Sequence, residues 1–446
     1  MMKKGLLLVL TCVLLLCATG CSFTLSPQEL YRLPKLPAEY TELDNRIGEI
    51  LAEGAEYAAP ASGSNIQPVQ LVDLDSDGQE EAVAFFRNPA AEKPLKICIF
   101  TPVGDGYEQT AAIESSATSI NSIVYSDLDR DGYTELLVGW RTTTDLQALV
   151  VYSLRGGEPE ELMRSNYVRY TLADLDEDRM QELVILRSTE EEGGNVADYY
   201  TWQDGQLQMK TPARVSMTMA ELSQQGRVTA GKLQDGSPAL FVTGVEESIF
   251  SITDILAIRN GELTNISLSD STGASTEIAL FRSLYPMDIN GDGITEVPIP
   301  EMLPGWDDED SSYQRIDWRS YDAEGAAALV LSTYHSIEDG WYLRLPETWQ
   351  DQLLVTRSVI PDEAYVTFYC WTQDGIHPFL RISAITGNSR SIKATRGGRF
   401  TLSRQAETTY TAELLEANDS WEHGITEDQV REAFSLIAKE WTYGDN

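Results

Sequence analysis

Four segments of this chain spell one acidic pattern: Asp73-Leu-Asp-Ser-Asp-Gly-Gln-Glu-Glu81, Asp127-Leu-Asp-Arg-Asp-Gly-Tyr-Thr-Glu135, Asp174-Leu-Asp-Glu-Asp-Arg-Met-Gln-Glu182 and Asp288-Ile-Asn-Gly-Asp-Gly-Ile-Thr-Glu296. The first three begin 54 and 47 residues apart, and the fourth follows the third by 114, twice 57. A degenerate copy, Gly231-Lys-Leu-Gln-Asp235-Gly236, falls between them and keeps only the Asp-Gly pair. A pattern that recurs about every 50 residues marks an array of similar units. Each copy follows a short apolar run, such as Val69–Val72, and precedes another, such as Ala82–Phe86 or Leu183–Leu186. A third run then ends in a Gly turn, as at Gly156-Gly157, Gly205 and Gly261. Runs of four to six β-branched and aromatic residues between turns are strands. Three or four strands per unit predict a propeller blade. The expectation is a mainly β chain: a β-propeller of about five or more blades over 66–338, then a smaller α+β domain over 339–446.

The loop spacing has a chemical reason. Alternate carboxylates in a tight turn converge on one point, Gly at the sixth position permits the turn, and the ninth-position acid closes the shell. Oxygen-only ligation suits a hard, large cation, calcium before magnesium. The predicted ligands are Asp73, Asp75, Asp77 and Glu81; Asp127, Asp129, Asp131 and Glu135; Asp174, Asp176, Asp178 and Glu182; and Asp288, Asn290, Asp292 and Glu296. Two to four calcium ions follow. Helix–loop–helix sites are excluded, because they need a Glu at position twelve, where this chain has Ala84, Val138, Ile185 and Ile299. The loops at Asp73 and Asp127 are complete, and that at Asp288 has Asn as a normal ligand. The loop at Asp174 carries Arg179 where Gly is expected, which predicts a weaker or empty site. The Gly231 copy lacks the first two ligands and the last. A plain β-turn reading accounts for Asp-Gly but not for a Glu fixed three residues later.

These loops resemble the calcium loops of FG-GAP and VCBS-type repeat proteins over about residues 66–338. That resemblance implies a propeller whose blades carry the loop between their first two strands. The whole chain is similar to lipid-anchored VCBS-repeat proteins of Gram-positive bacteria. Leu30-Tyr-Arg-Leu-Pro-Lys-Leu-Pro37, the first loop and Trp341-Tyr-Leu-Arg-Leu-Pro-Glu-Thr-Trp349 carry the likeness. It implies a surface location and a binding or structural role.

The N-terminus fits that location. Lys3 and Lys4 precede an apolar run, Gly5–Thr19, too short to span a membrane and suited to a signal peptide. Ala18-Thr19-Gly20-Cys21 resembles a bacterial lipobox. This implies a signal over 1–20, lipid on Cys21, and anchoring to the outer face of the cytoplasmic membrane. Residues 21–65 then read as a tether plus an amphipathic helix at about 38–53, on the spacing of Tyr40, Leu43, Ile47, Ile50 and Leu51. Cys98 and Cys370 sit in strand-like runs and are expected as buried free thiols. In the last domain Thr426 and Gln429 form a capping box, and Val430, Ala433, Phe434, Ile437 and Trp441 make one helical stripe.

With 33 basic against 70 acidic residues, the formal net charge is −37. That excludes a general phosphate-contacting face, so no nucleic-acid partner is expected. No nucleophile elbow, phosphate-cradling loop or His-Glu-x-x-His motif occurs, and the three histidines are scattered. The expectation is that the chain is no enzyme but a binding or adhesion module for a wall polymer, glycan or protein, or a structural envelope protein. The runner-up is an extracellular hydrolase or lyase acting on an envelope polysaccharide. Within the acidic stretch 301–313, Trp306 is the candidate ligand contact.

Overall fold

The computed structural model describes residues 40–437, apart from 105, 145, 190–193, 270, 282, 304–313, 350–351 and 373. The chain is mainly β, folded as six antiparallel sheets that follow one another in sequence. Sheet I comprises Val69–Val72, Glu81–Arg87, Leu95–Val103 and Gly106–Ser115, with Glu56–Tyr57 added. Sheet II comprises Ser119–Ser126, Glu135–Arg141, Gln147–Ser153 and Glu160–Tyr167. Sheet III runs from Arg169–Ala173 to Ala213–Val215, and sheet IV from Arg227–Lys232 to Glu277–Leu280. Sheet V begins at Val297–Met302, and sheet VI spans Leu353–Ile360 to Thr409–Leu414.

Strand alternation decides how the sheets stack. In Glu81–Arg87, Val83 and Phe85 join Ile123, Val138 and Trp140 in one core between sheets I and II. Their neighbours Ala82, Ala84 and Phe86 point the other way, onto Leu43 and Ile47 of helix α1, Thr41–Ala52. The next strands repeat the device. Leu183 and Ile185 meet sheet II, whereas Val184 and Leu186 meet Leu240 and Val242 of sheet IV. Because both faces are covered, the second strand of each unit is a continuous apolar run rather than an alternating one. Close stacking also fixes Gly139, where an added Cβ would lie 2.4 Å from Tyr167 Oη and 2.6 Å from Ser122 Oγ.

Further cores join sheet IV to V through Phe241, Ile255 and Tyr321, and sheet V to VI through Trp341, Phe368 and Phe379. Among the described residues no hydrophobic cluster joins sheet V or VI back to sheet I, whose outer face is taken by α1. Ring closure, part of the propeller expectation, is therefore not seen in these cores.

Sheet V departs from the pattern. The strand before its acidic loop shrinks to one bridge, Met287↔Glu296. At its other edge it gains Trp341–Leu345 and then Phe434–Leu436. The boundary expected at 338/339 thus falls inside a sheet. The predicted C-terminal helix needs correcting as well. Its capping box forms, but the helix ends at Ala433, and Phe434 enters a strand because it packs on Trp341 and Tyr410. Trp441 lies outside the described residues. Cys98 and Cys370 are buried free thiols. No helix among the described residues is long and apolar enough to cross a membrane.

Candidate metal centre

In sheets I to III the acidic loop connects the first strand to the second, and its position-two residue anchors it. Leu74, Leu128 and Leu175 are buried in the cores, as is Ile289 in the fourth loop. With that side chain held, the backbone turns through two left-handed residues. At position four these are Ser76, Arg130, Glu177 and Gly291, and at position six Gly78, Gly132, Arg179 and Gly293. Arg179 has φ 74°, beside 87° for Gly78 and 93° for Gly132. It adopts the glycine conformation, at a cost of about 1–2 kcal/mol, and its side chain is exposed.

One hydrogen-bond ladder then recurs. The position-six N–H donates to the first carboxylate: Gly78 to Asp73 and Gly132 to Asp127 at 3.1 Å, Arg179 to Asp174 at 3.0 Å, Gly293 to Asp288 at 2.7 Å. The position-five N–H donates to position three, at 3.2 Å for Asp75, 3.1 Å for Asp129, 3.2 Å for Asp176 and 2.9 Å for Asn290. Asp77, Asp131, Asp178 and Asp292 each accept the position-seven N–H at 2.7–2.8 Å. The closing glutamates reach back to the position-two N–H: Glu81 to Leu74 at 2.8 Å, Glu135 to Leu128 at 3.0 Å, Glu182 to Leu175 at 2.7 Å and Glu296 to Ile289 at 3.1 Å.

What the ladder leaves over is chemically telling. Asp73, Asp127 and Asp174 each retain a buried Oδ1 with no hydrogen-bond partner, and Glu296 retains such an Oε1. Unpaired buried oxygens are costly unless something fills them. In three loops the first, third and ninth carboxylates each offer an oxygen within 4.8 Å of the others: Asp73, Asp75 and Glu81; Asp127, Asp129 and Glu135; Asp174, Asp176 and Glu182. These three groups can hold a metal ion. Burial, with the neighbouring aspartates adding to it, pushes Glu135 and Glu182 up to about 7, against the opposing backbone hydrogen bond. Glu81 is raised for the same leading reason. A bound cation reverses that trend by favouring the charged form.

The fifth-position aspartates stand apart from these groups, and Asp131 pairs with Arg155 at 2.8 Å. The fourth loop also differs. Asp288 Oδ1 is occupied by the N–H groups of Gly291 at 2.7 Å and Asp292 at 3.1 Å, and Asn290 Nδ2 donates to Asp292 at 2.8 Å. Burial raises Glu296 to about 7 here too. At the degenerate copy, Asp235 caps a bare turn through the N–H and hydroxyl of Ser237. Trp306 and Cys21 lie outside the described residues.

Two features escaped the sequence reading. Position two has no role in the spacing argument, yet its side chain anchors the loop and its N–H donates to the closing glutamate. Position eight links neighbouring units: Thr134 N–H donates to Leu74 O at 2.8 Å, and Thr295 N–H to Lys232 O at 3.0 Å. The recurrence of Thr before two of the closing glutamates was its only trace in the sequence.

No protein-family model matches the chain, and no curated protein matches it. Solved structures similar to it include an exotype rhamnogalacturonan lyase, YesX, at 12% identity and TM-score 0.26, covering 73% of this chain and 72% of that one. A rhamnogalacturonan lyase from Bacillus licheniformis has 11% identity and TM-score 0.31, covering 70% and 75%. A protein from Lactobacillus plantarum has 9% identity and TM-score 0.25, covering 74% and 97%. Likenesses this distant assign no activity. The expectation that the chain is no enzyme is nevertheless corrected. Against it stand the names of two of these structures, both rhamnogalacturonan lyases.

Proposed function

We propose that this chain is a calcium-stabilised β-propeller protein of the FG-GAP/VCBS kind that acts on an envelope polysaccharide. Lipid on Cys21 would hold it at the outer face of the cytoplasmic membrane. The observation that carries the calcium reading is the unpaired, buried first-position oxygen in three loops of identical geometry. The donors brought together are all carboxylate oxygens, and a backbone carbonyl at position seven would complete the shell. That set favours calcium over magnesium, which demands a tighter octahedron and retains water. The loops at Asp73, Asp127 and Asp174 are the principal sites, and the loop at Asp288 is a weaker fourth. The serial sheets with the loop at the same connection support the propeller reading.

For the polymer, the reading preferred is the extracellular hydrolase or lyase acting on an envelope polysaccharide, in keeping with the polysaccharide-lyase names of two of the similar structures. Incubating the purified chain with rhamnogalacturonan and with envelope polysaccharide, and following chain length, tests it. Unchanged polymer with calcium present would overturn it. The calcium reading is tested by thermal unfolding in excess EDTA and after calcium is restored. Binding to the native state alone stabilises it by about 4 kcal/mol per site at a thousandfold excess over Kd, so the midpoint rises with calcium concentration. The rise should shrink markedly when Asp73 and Asp127 are both changed to Ala. An unchanged midpoint would reduce the loops to turns.

A further inference from the structure

At the end of the sheets opposite the acidic loops, three arginines gather. Arg141 closes the second strand of sheet II, Glu135–Arg141. Arg169 opens the first strand of sheet III, Arg169–Ala173, and Arg227 the first strand of sheet IV, Arg227–Lys232. All three are half-buried. Elsewhere guanidinium groups meet carboxylates, as those of Arg155, Arg187, Arg315, Arg357 and Arg399 do. Arg141 and Arg169 form no ion pair among the described residues and bond instead to neutral acceptors. Arg141 Nη2 donates to Asn121 Oδ1 at 3.0 Å, and Asn121 Nδ2 to Tyr167 Oη at 3.2 Å. Arg169 Nη2 donates to Ser223 O at 3.2 Å, while its Nε is buried with no hydrogen-bond partner. Arg227 lies over the Tyr285 ring, its guanidinium carbon 3.9 Å from the centre, and Tyr285 Oη donates to Gln225 O at 2.6 Å. The cluster is continuous: Tyr167 feels the charge of Arg141 and Arg169, and Tyr285 that of Arg227 and Arg169. Burial pulls Arg169 and Arg227 below the ordinary guanidinium range, with the nearby tyrosines opposing it.

A half-buried charge that the protein leaves uncompensated is costly and calls for a counter-ion. We propose that this end of sheets II to IV binds an acidic glycan, whose carboxylate or phosphate groups pair with Arg141 and Arg169 while Arg227 adds positive charge beside them. Guanidinium suits both anions, because its planar fork matches two oxygens at once. Packed sheets lie about 10 Å apart, so charges carried on three successive sheets suit an extended chain better than a single small anion. The net charge of −37 selects against a broad partner. An anionic membrane or a nucleic-acid duplex would meet the acidic surface around the cluster, whereas one sugar chain can touch the cluster alone. The inference rests on the polysaccharide reading above, adds the charge of the polymer, and does not depend on calcium.

The test is calorimetric titration of the full chain, with calcium present, by oligogalacturonate, by a glycerol-phosphate polymer, and by cello-oligosaccharide as the neutral comparison. Binding of an acidic ligand that weakens with added salt is expected. The two acidic arms tell carboxylate from phosphate. Arg141→Gln and Arg169→Gln should each weaken binding at least about tenfold, and Arg169→Lys should restore part of it. Unfolding midpoints control for folding, and removing an uncompensated charge should leave them unchanged or raised. Equal affinity in the wild type and both variants would trace the contact to calcium bridging or to another surface and overturn this site, with the polysaccharide reading intact. Binding of the neutral chain alone would overturn the acidic class. No binding, with the polymer unchanged in the cleavage assay, would overturn both. An acidic chain that is bound through these arginines but never shortened would uphold the site and overturn only catalysis.

Discussion

The loops that begin at Asp174 and at Asp288 share a register and a hydrogen-bond ladder, yet they treat the first carboxylate differently. Asp174 spends one oxygen on the Arg179 N–H and leaves the other buried and unpaired. Asp288 has both oxygens engaged by backbone N–H groups. The difference follows from position four. Glu177 and Gly291 are both left-handed, but at Gly291 the backbone closes further onto Asp288 and donates its own N–H. A first carboxylate already satisfied has less use for an ion than one left open, even though Glu296 keeps an unpaired oxygen. Loop quality therefore depends on how many donors reach the first carboxylate, as well as on which residues occupy the ligand positions.

The closing glutamates offer the strongest way to break that comparison, because they should behave alike in both loops. Glu182 and Glu296 are raised from 4.5 to about 7, as is Glu135. In the metal-free protein the folded state therefore holds protons that the unfolded state has released. This contribution to stability is full below about pH 4.5 and is lost as pH rises through about 7. The metal-free midpoint should fall by several degrees between about pH 5.5 and pH 8, and saturating calcium should remove the fall. Glu182→Gln and Glu296→Gln should flatten the profile by similar amounts. A steeper response from one of them would place the difference between the loops at the glutamate rather than at the aspartate.

Anchors come next in size. Leu175 sits in a core shared by sheets III and IV, and Ile289 in a smaller cluster with Trp318. Leu175→Ala should cost about 2–5 kcal/mol, with Ile289→Ala at the lower end of that range; denaturant titration measures both. Below that lies metal affinity. In calcium titrations by calorimetry, Asp174→Ala should remove one of the tight sites, whereas Asp288→Ala should remove only a phase at least about tenfold weaker, some 1.4 kcal/mol. Loss of a tight phase from Asp288→Ala would equalise the two loops.

These expectations also mark what the residues alone could reveal. The acidic period exposed the unit, and the apolar runs beside it exposed the strands, because a strand covered on both faces is simply apolar. α1 was legible from Leu43 and Ile47, which alone in that helix are buried. Sheet V was not. Phe434–Leu436 lies inside a stripe that satisfies helical spacing, and only its pairing with Trp341–Leu345, about ninety residues earlier, makes it a strand. The ligand residues could be named, but the sequence ranks the Arg179 loop weakest, whereas the fully engaged Asp288 carboxylate ranks the fourth loop lowest. That rank rests on backbone N–H groups, and side-chain identities do not report them.

Arg179 sharpens the same point with the smallest effect. Its left-handed φ costs about 1–2 kcal/mol relative to glycine, and the greater unfolded-state freedom of glycine takes back about 0.5–1 kcal/mol. Arg179→Gly should therefore stabilise the metal-free chain by about 0.5–1 kcal/mol. Gly293→Ala, where nothing lies within 4 Å of the added Cβ and only φ 87° opposes it, should destabilise by about 1 kcal/mol. Arg179 is exposed, so removing its charge should raise calcium affinity only slightly, and less so at high salt. Equilibrium unfolding of the two variants checks the pair. If Arg179→Gly lowered stability instead, the side chain would be holding the loop by a contact beyond its backbone conformation. The Asp174 loop would then owe its open carboxylate to arginine, and the resemblance to the glycine loops at Asp73 and Asp127 would be convergence on one geometry from two different causes.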